Sequence, residues 1–494
     1  MRELILATLI TASALDLTCT AQSPLFSTRK DVTGNGNSDF LSGLARTTNN
    51  DFLTFGLCAV TPTAVSGICV SRFSNDGAFI SSHTFTDSIS HIFLKRDGVS
   101  SWSNQRHAAS VQWAEDASLW YFDAGGDSLW VRKPFAPVRP SKAGNTQHAT
   151  NGDVLFCGTA EVDSIESTIF LARYDAAGLL QWLQEYPLPP QWQGMQVFVS
   201  SMAVLSDGGT VISGNRQDAF GENAQQWVLR SSANGSFQFL NDVEGPGEGD
   251  NAHAVSTTDD TYTVVGMRRQ ENPNAPGDYC CPRPYFSRFS NDGTLQWSRL
   301  FQGTRREFTD FALRTLNDGS VLSTGFTTHQ YGSNAYLFNV SASGDSIWHR
   351  EYSAPDSTCI NRSYMPHTLL VESPNRIVLG GVVGLCGNDH WIMRTDGAGL
   401  PPSTMGLITD VHDVLSNELT LVAHPNPSHG QLHVQGEDGA FPIKVIVSDA
   451  LGRSVRTTTI RGPSDILTIH DQGIYFLMMT NDHGTFVNQQ VVVQ

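Results

Sequence analysis

The most regular feature of the chain is a short alternation of apolar and polar positions, interrupted every few residues by a turn. Tyr285-Phe286-Ser287-Arg288-Phe289 and Tyr336-Leu337-Phe338-Asn339-Val340 precede one kind of turn; Leu295-Gln296-Trp297-Ser298-Arg299-Leu300-Phe301 and Ile347-Trp348-His349-Arg350-Glu351-Tyr352 follow it. Side chains of an extended chain face opposite sides in turn, so these runs predict strands with one face toward a core. The turn recurs seven times as Asp or Ser, two residues, Gly, then usually an aromatic four positions on, starting at Ser74, Asp123, Asp175, Ser232, Ser290, Ser341 and Asp396. Its glycines are Gly77, Gly126, Gly178, Gly235, Gly293, Gly344 and Gly399, spaced by 49, 52, 57, 58, 51 and 55 residues. The aromatics are Trp130, Trp182, Phe239, Trp297 and Trp348, with Ser81 in the first copy. An Asp or Ser side chain bonding forward to the backbone, with Gly supplying positive φ, is hairpin chemistry. A second hairpin precedes each, as in Asn317-Asp318-Gly319-Ser320 and Asp207-Gly208-Gly209-Thr210. Each copy therefore predicts four short strands.

Four antiparallel strands per unit at this period resemble a β-propeller, each unit being a blade and the repeated Trp filling the joint between blades. Bacterial propellers with a DxxGxxxW-like outer hairpin look similar in pattern only. The sialidase turn places its Asp and Gly differently, so that activity is not carried over. Parallel β-helices and tandem sandwiches are the structural alternatives. The expected fold class is all-β, a seven-bladed β-propeller over residues 22–400 followed by a small immunoglobulin-like β-sandwich. In the last copy Asp396 and Gly399 run into Leu400-Pro401-Pro402, and two prolines cannot donate to a ladder. Its outer strand is missing. The segment Pro24-Leu25-Phe26-Ser27-Thr28-Arg29-Lys30 is of the right kind to replace it, which predicts pairing of residues 24–30 beside 389–395 and closure of the ring.

After a linker at 401–420, residues 421–494 carry Pro425-Asn426-Pro427-Ser428-His429-Gly430, then Val445-Ile446-Val447-Ser448-Asp449-Ala450-Leu451-Gly452-Arg453, then Gly473-Ile474-Tyr475-Phe476-Leu477, and end on Val491-Val492-Val493-Gln494. These PNPxxG, DxxGR and GIYFL elements closely resemble, in order and spacing, the C-terminal sorting domain of the type IX secretion pathway. The resemblance implies a small immunoglobulin-like sandwich recognised by an outer-membrane translocon, followed by removal with release or surface attachment. It implies an address and no activity of the cargo.

The N-terminus fits that route. Met1, Arg2 and Glu3 are followed by the apolar run Leu4 to Ala14 and by Cys19-Thr20-Ala21, which predicts a signal peptide over 1–21 cleaved after Ala21. A lipoprotein signal is disfavoured, because Thr18 and Asp16 stand where small and aliphatic residues belong. No later apolar run is long enough to span a bilayer as a helix. The net charge of -17, from 31 Lys and Arg against 48 Asp and Glu, argues against a nucleic-acid partner. Seven cysteines follow the predicted cleavage site. Cys58 with Cys69, and Cys359 with Cys386, are expected as local disulfides in an oxidising compartment; no CxxC or zinc-spaced His accompanies them.

Motifs for nucleophilic, zinc-peptidase or phosphate-loop chemistry are lacking. Carboxylates such as Glu307 and Asp310 read as solvated turn residues unless the fold pairs them. Asp31-Val32-Thr33-Gly34-Asn35-Gly36-Asn37-Ser38-Asp39 places oxygen-bearing side chains at alternate positions with glycines at the bends, a pattern that suits calcium. It resembles the DxxGxGxxD loop of FG-GAP propeller repeats, although only Asp31 and Asp39 carry charge. The candidate ligands are Asp31, Thr33, Asn35, Asn37 and Asp39, against a reading as a turn-rich connection. His148, His253 and His367 recur near the starts of predicted inner strands, where a channel-mouth site competes with ordinary loop roles. The function these features favour is a secreted or cell-surface binding or adhesion propeller with an unknown protein or glycan ligand. The alternative is a secreted glycan- or peptide-processing enzyme with its site at the propeller mouth.

Overall fold

The computed structural model describes residues 25–33, 39–59, 66–86, 92–103, 105–162, 167–218, 224–243, 248–256, 261–271, 279–301, 306–329, 332–353, 363–384, 388–402, 406–408, 422–425, 427–435, 441–449, 454–462, 465–481 and 486–494. Residues 1–24, which include the predicted signal peptide, lie outside them. The described chain is strand and turn, with one 3-10 turn at Pro190–Trp192. Consecutive strands pair antiparallel in fours. Five such units stand as separate sheets, spanning 39–85, 92–132, 141–187, 196–242 and 248–300. A sixth unit, 306–353, is joined to the three strands of 363–396 by one parallel pair, Ser333 with Ser363. The fourth strand of that last unit is Phe26–Lys30, antiparallel to Asn388–Asp396 with Phe26 opposite Arg394 and Lys30 opposite His390. This is the pairing that the prolines after Gly399 predict.

The first strands of the seven units are Asp39–Arg46, Ile92–Ser101, Ser141–His148, Gln196–Val204, Glu248–Ser256, Arg306–Thr315 and Ser363–Ser373. They pack side by side in chain order, and the seventh packs against the first. The units therefore surround a common centre, and their apolar faces meet in clusters shared by neighbours, such as Leu53, Phe55 and Val70 with Val111, Trp120 and Phe122.

The repeat turns form as the sequence predicts. In each, the glycine N–H donates to the carbonyl of the Asp or Ser three residues back, as from Gly293 to Ser290 at 2.9 Å, and the glycine φ lies between 73° and 91°. Asp123 Oδ1 accepts the backbone N–H groups of Gly125 and Asp127 at 2.8 and 3.0 Å. The glycines meet a second demand, because the ring of one outer strand lies on the turn of the next unit. A Cβ added to Gly178 would stand 2.8 Å from the Trp130 ring, at Gly235 2.9 Å from Trp182, at Gly293 2.7 Å from Phe239, at Gly344 2.9 Å from Trp297 and at Gly399 3.0 Å from Trp348. Phe26 covers Gly77 in the same way. Only the first copy breaks the rule: Ser81 offers no ring, and Val70 covers Gly126 instead.

A linkage not read from the sequence runs beside this one. Arg173, Arg230 and Arg394 each stand five residues before a repeat glycine and join two units. Arg173 donates to Asp153 at 2.8 Å in its own unit and to the Ala233 carbonyl of the next turn at 3.3 Å. Arg230 likewise joins Asp207 at 2.5 Å to Asn291 at 3.0 Å, and Arg394 joins Glu372 at 3.0 Å to Asn75 at 2.8 Å.

Residues 422–494 form two further sheets, one of Val422–His424, Gln431–Gln435 and Ile466–Thr468, the other of Ser454–Ile460, Ile443–Asp449, Gly473–Asn481 and Phe486–Val493. Alternate residues Ile443, Val445 and Val447 join Leu432, Val434, Leu467 and Leu477 in one buried core. The stretch expected as linker contains a strand: Gly406–Ile408 pairs antiparallel with residues 351–353 of the sixth unit. Cys58 and Cys69 are disulfide-bonded, with Cα atoms 5.8 Å apart across a hairpin. Cys359 and Cys386 lie outside the described residues, and Cys157 is a buried free thiol.

Phe26 is 8% exposed, touches Phe52 edge-on at 5.7 Å and lies under the Arg394 guanidinium at 5.1 Å. Phe26→Ala should lower stability by about 3 kcal/mol, read as a shift of the denaturant midpoint; an unchanged midpoint would show that this joint is dispensable.

Candidate functional site

Each of the seven first strands carries a register shift against its neighbour, lying between Leu41 and Gly43, Leu94 and Val99, Ala143 and Thr146, Val199 and Ser201, Asp250 and Ala252, Phe308 and Ala312, and Pro366 and Thr368. Bulges re-aim side chains and increase twist. Repeated around the centre, they place irregular backbone where the units converge. Glycine and small residues permit the approach: a Cβ on Gly144 would meet the Val199 side chain of the next unit.

The longest excursion is Lys95-Arg96-Asp97-Gly98 in the second unit, four residues set against the single Ser110 of the paired strand. Asp97 takes a positive φ of 50° and is 7% exposed. Its carboxylate accepts both terminal nitrogens of Arg314 in the sixth unit at 2.6 and 2.7 Å and the Thr368 hydroxyl of the seventh at 2.9 Å. Its carbonyl accepts the Asn145 amide of the third unit at 3.3 Å. One residue thus ties four units together across the centre. Burial pushes the Asp97 carboxyl upward, while the Arg314 charge and hydrogen bonds pull it back; the forked geometry is that of a guanidinium and a carboxylate.

Beside this tether, His367 occupies the bulge of the seventh unit, buried, with Nδ1 2.8 Å from the Leu41 carbonyl of the first. Burial holds its pKa down at about 3, with the Arg96 charge adding to the effect. His148 stands at the end of its first strand, not near the start, with Nδ1 3.0 Å from Ser100 Oγ. Burial lowers its pKa to about 4. Both are neutral packing groups near pH 7. The side chains of His253, Glu307 and Asp310 lie outside the described residues.

Of the expected calcium ligands, Asn35 and Asn37 lie outside the described residues, whereas Asp31, Thr33 and Asp39 come together. Thr33 Oγ1 is 3.0 Å from Asp31 Oδ1 and 3.2 Å from Asp39 Oδ2. Asp39 Oδ2 also accepts the backbone N–H groups of Val32 and Thr33 at 3.0 and 3.2 Å. Asp39 is fully buried, and burial first, with the charge of Asp31 adding, raises its pKa to about 6 against these hydrogen bonds. No group of three or more His, Cys, Asp or Glu poised for a metal occurs among the described residues.

Comparison with known proteins identifies the C-terminal unit: residues 422–494 match the secretion system C-terminal sorting domain. That domain marks the chain as secreted or attached at the cell surface and engages the type IX secretion machinery. No helix among the described residues is long and apolar enough to cross a membrane. None of the curated proteins compared matches the chain. Solved structures similar to it include a fungal alcohol oxidase of the AA5 family in complex with copper (13% identity, 96% of this chain and 99% of that one, TM-score 0.46). They also include a polysaccharide lyase (8%, 72% and 90%, 0.44) and an α-L-arabinofuranosidase from Fusarium graminearum (11%, 75% and 97%, 0.38). Likenesses of this grade carry no activity over to this chain.

Two outcomes follow from these contacts. Arg314→Met leaves the Asp97 carboxylate buried without its cation and should cost about 3 to 5 kcal/mol, whereas Asp97→Asn with Arg314→Met should recover most of that loss in thermal melts. For Asp39 a folded pKa above the unfolded value means that its contribution is present below about pH 4 and is lost as pH rises through about 6. In chelator-treated protein Asp39→Asn should therefore be more stable at pH 7 by on the order of 2 kcal/mol, and no different at pH 4.

Proposed function

We propose that this chain is a secreted or cell-surface binding protein whose seven units are the blades of a closed propeller, carried outward by a sorting domain with an immunoglobulin-like sandwich fold. Closure is supported by Phe26–Lys30 completing the seventh unit and by the packing of the seventh first strand on the first. The sandwich is supported by the two sheets enclosing one core in residues 422–494.

The observation that carries binding over catalysis is the state of Asp97. Hydrolysis by carboxylates needs two with room for substrate between them, and this central carboxylate has both oxygens engaged by Arg314 and Thr368. A rigid ring with varied connections instead suits recognition of a protein or glycan. The full-length secreted protein should give specific signals on glycan and matrix-protein arrays and release no reducing ends or peptides from the ligands it captures; turnover of a captured ligand would favour the processing-enzyme reading.

Calcium belongs to the same proposal, at Asp31, Thr33 and Asp39 with Asn35 and Asn37. An ion there would offset the burial, and the lesser repulsion from Asp31, that raise the Asp39 pKa. Calcium should then raise the melting temperature of the wild type and not of Asp39→Asn.

The sorting role predicts that a chain ending at residue 421, which retains the strand at 406–408, stays folded and accumulates in the periplasm. A truncated chain that still reaches the exterior would overturn this.

A further inference from the structure

The outer strand of a unit ends its sheet, and one outer strand has already received a partner. Glu351, Tyr352 and Ser353 of the sixth unit pair antiparallel with Ile408, Leu407 and Gly406, so the chain adds a fifth strand there. The outer strand of the fourth unit, Phe237–Asp242, pairs on one side only among the described residues. Its Asp242 stands seven residues after Gly235, as Glu351 stands seven after Gly344. The Val243 N–H donates to the Gln226 carbonyl at 2.8 Å. Hydrogen-bonded pairs alternate along an antiparallel ladder, so Asn241 bonds to Val228 opposite, and the main-chain groups of Leu240 and Asp242 point away from the sheet. An unpaired row of this kind is a template for another strand.

The space beside that row has walls. A cavity of about 430 Å³ lies against Leu240, Asn241 and Asp242 and is bounded by Trp192 and by Phe289 and Leu295 of the fifth unit. Leu240 packs in the cluster of Trp192 and Trp227, whereas Val228 and Phe289 belong to the next cluster, so the cavity reaches both faces of the sheet around its edge. Arg216 covers the Trp192 ring at 5.1 Å, and its fork holds both oxygens of the Asp242 carboxylate at 3.0 Å. The indole is therefore no open platform for a sugar ring, and the carboxylate is no free charge. What the groove offers is main chain along its length and apolar side chains on both sides. A strand covered on both faces is a run of consecutive apolar residues, and Leu407-Ile408, the pair already added to the sixth unit, is such a run.

We propose that the edge of the fourth unit binds an extended apolar segment of a partner protein as an added fifth strand. This rests on the binding-protein reading above and names its ligand class. The probe is an octapeptide with the sequence from Ser403 to Asp410, titrated calorimetrically into the full-length secreted protein. It should bind, and Leu407→Asp with Ile408→Asp in the peptide should weaken it at least about tenfold. Methylating the main-chain nitrogen should be tolerated at one of these two peptide positions and cost at least about tenfold at the other, since only alternate residues of an added strand face the edge. Asn241→Trp fills the groove from an exposed position and should lose binding by a similar factor at an unchanged melting temperature. An octapeptide that does not bind, equal effects of the two methylations, or an unaffected Asn241→Trp would overturn the added strand. Self-association that the octapeptide reverses and Asn241→Trp abolishes would assign the edge to a second copy and overturn the partner. A glycan whose array signal Asn241→Trp removes, with the octapeptide unbound, would overturn the peptide and leave the binding-protein reading standing. Turnover of a captured ligand, with the octapeptide still bound at this edge, would do the reverse.

Discussion

The structure depends on one contact made over and over: the aromatic ring of an outer strand resting on the positive-φ glycine of the following turn. It requires a glycine twice, once for the backbone angle and once because a Cβ would occupy the space of the ring. A sheet of four strands buries one unit's faces only when a neighbour stands against it, so a joint specifying which turn meets which strand also sets the order of the units. Arginines 173, 230 and 394 reinforce that order with charge, each joining an acid of its own unit to the turn ahead.

Much of this frame was legible in the sequence. Glycine spacing located the turns, alternation located the strands, and two prolines after Gly399 revealed a strand that had to come from elsewhere. The part played by Phe26 was not legible, because it sits alone in a segment without a turn of its own. The arginines were regular enough to find, at five residues before the glycine, yet one partner of each is in another hairpin of the same unit and the other in a different unit. Gly406–Ile408 escaped notice because three residues carry no period.

The centre was the least legible region, for a physical reason. Bulges break the two-residue period on which strand recognition rests, and their extra residues take conformations that neighbours dictate. Lys95-Arg96-Asp97-Gly98 reads as a charged loop, whereas its aspartate meets Arg314 and Thr368 from distant parts of the chain. Of the histidines that drew attention as potential chemistry, His148 and His367 are buried and neutral near pH 7, and the side chain of His253 lies outside the described residues. Asp31 and Asp39, singled out by spacing alone, both meet Thr33, since local loops encode their own geometry.

Pairing of Phe26–Lys30 with Asn388–Asp396 also orders events in time. A ribosome delivers the first of these partners early and the second about 360 residues later, the sequence separation between Arg29 and Asp389. Until then the growing chain can pair strands within its units but lacks the partner of Phe26–Lys30, and contacts so distant along a chain form slowly. The sorting domain is made later still. A chain long enough to carry the export address therefore already contains both partners of this strand pair.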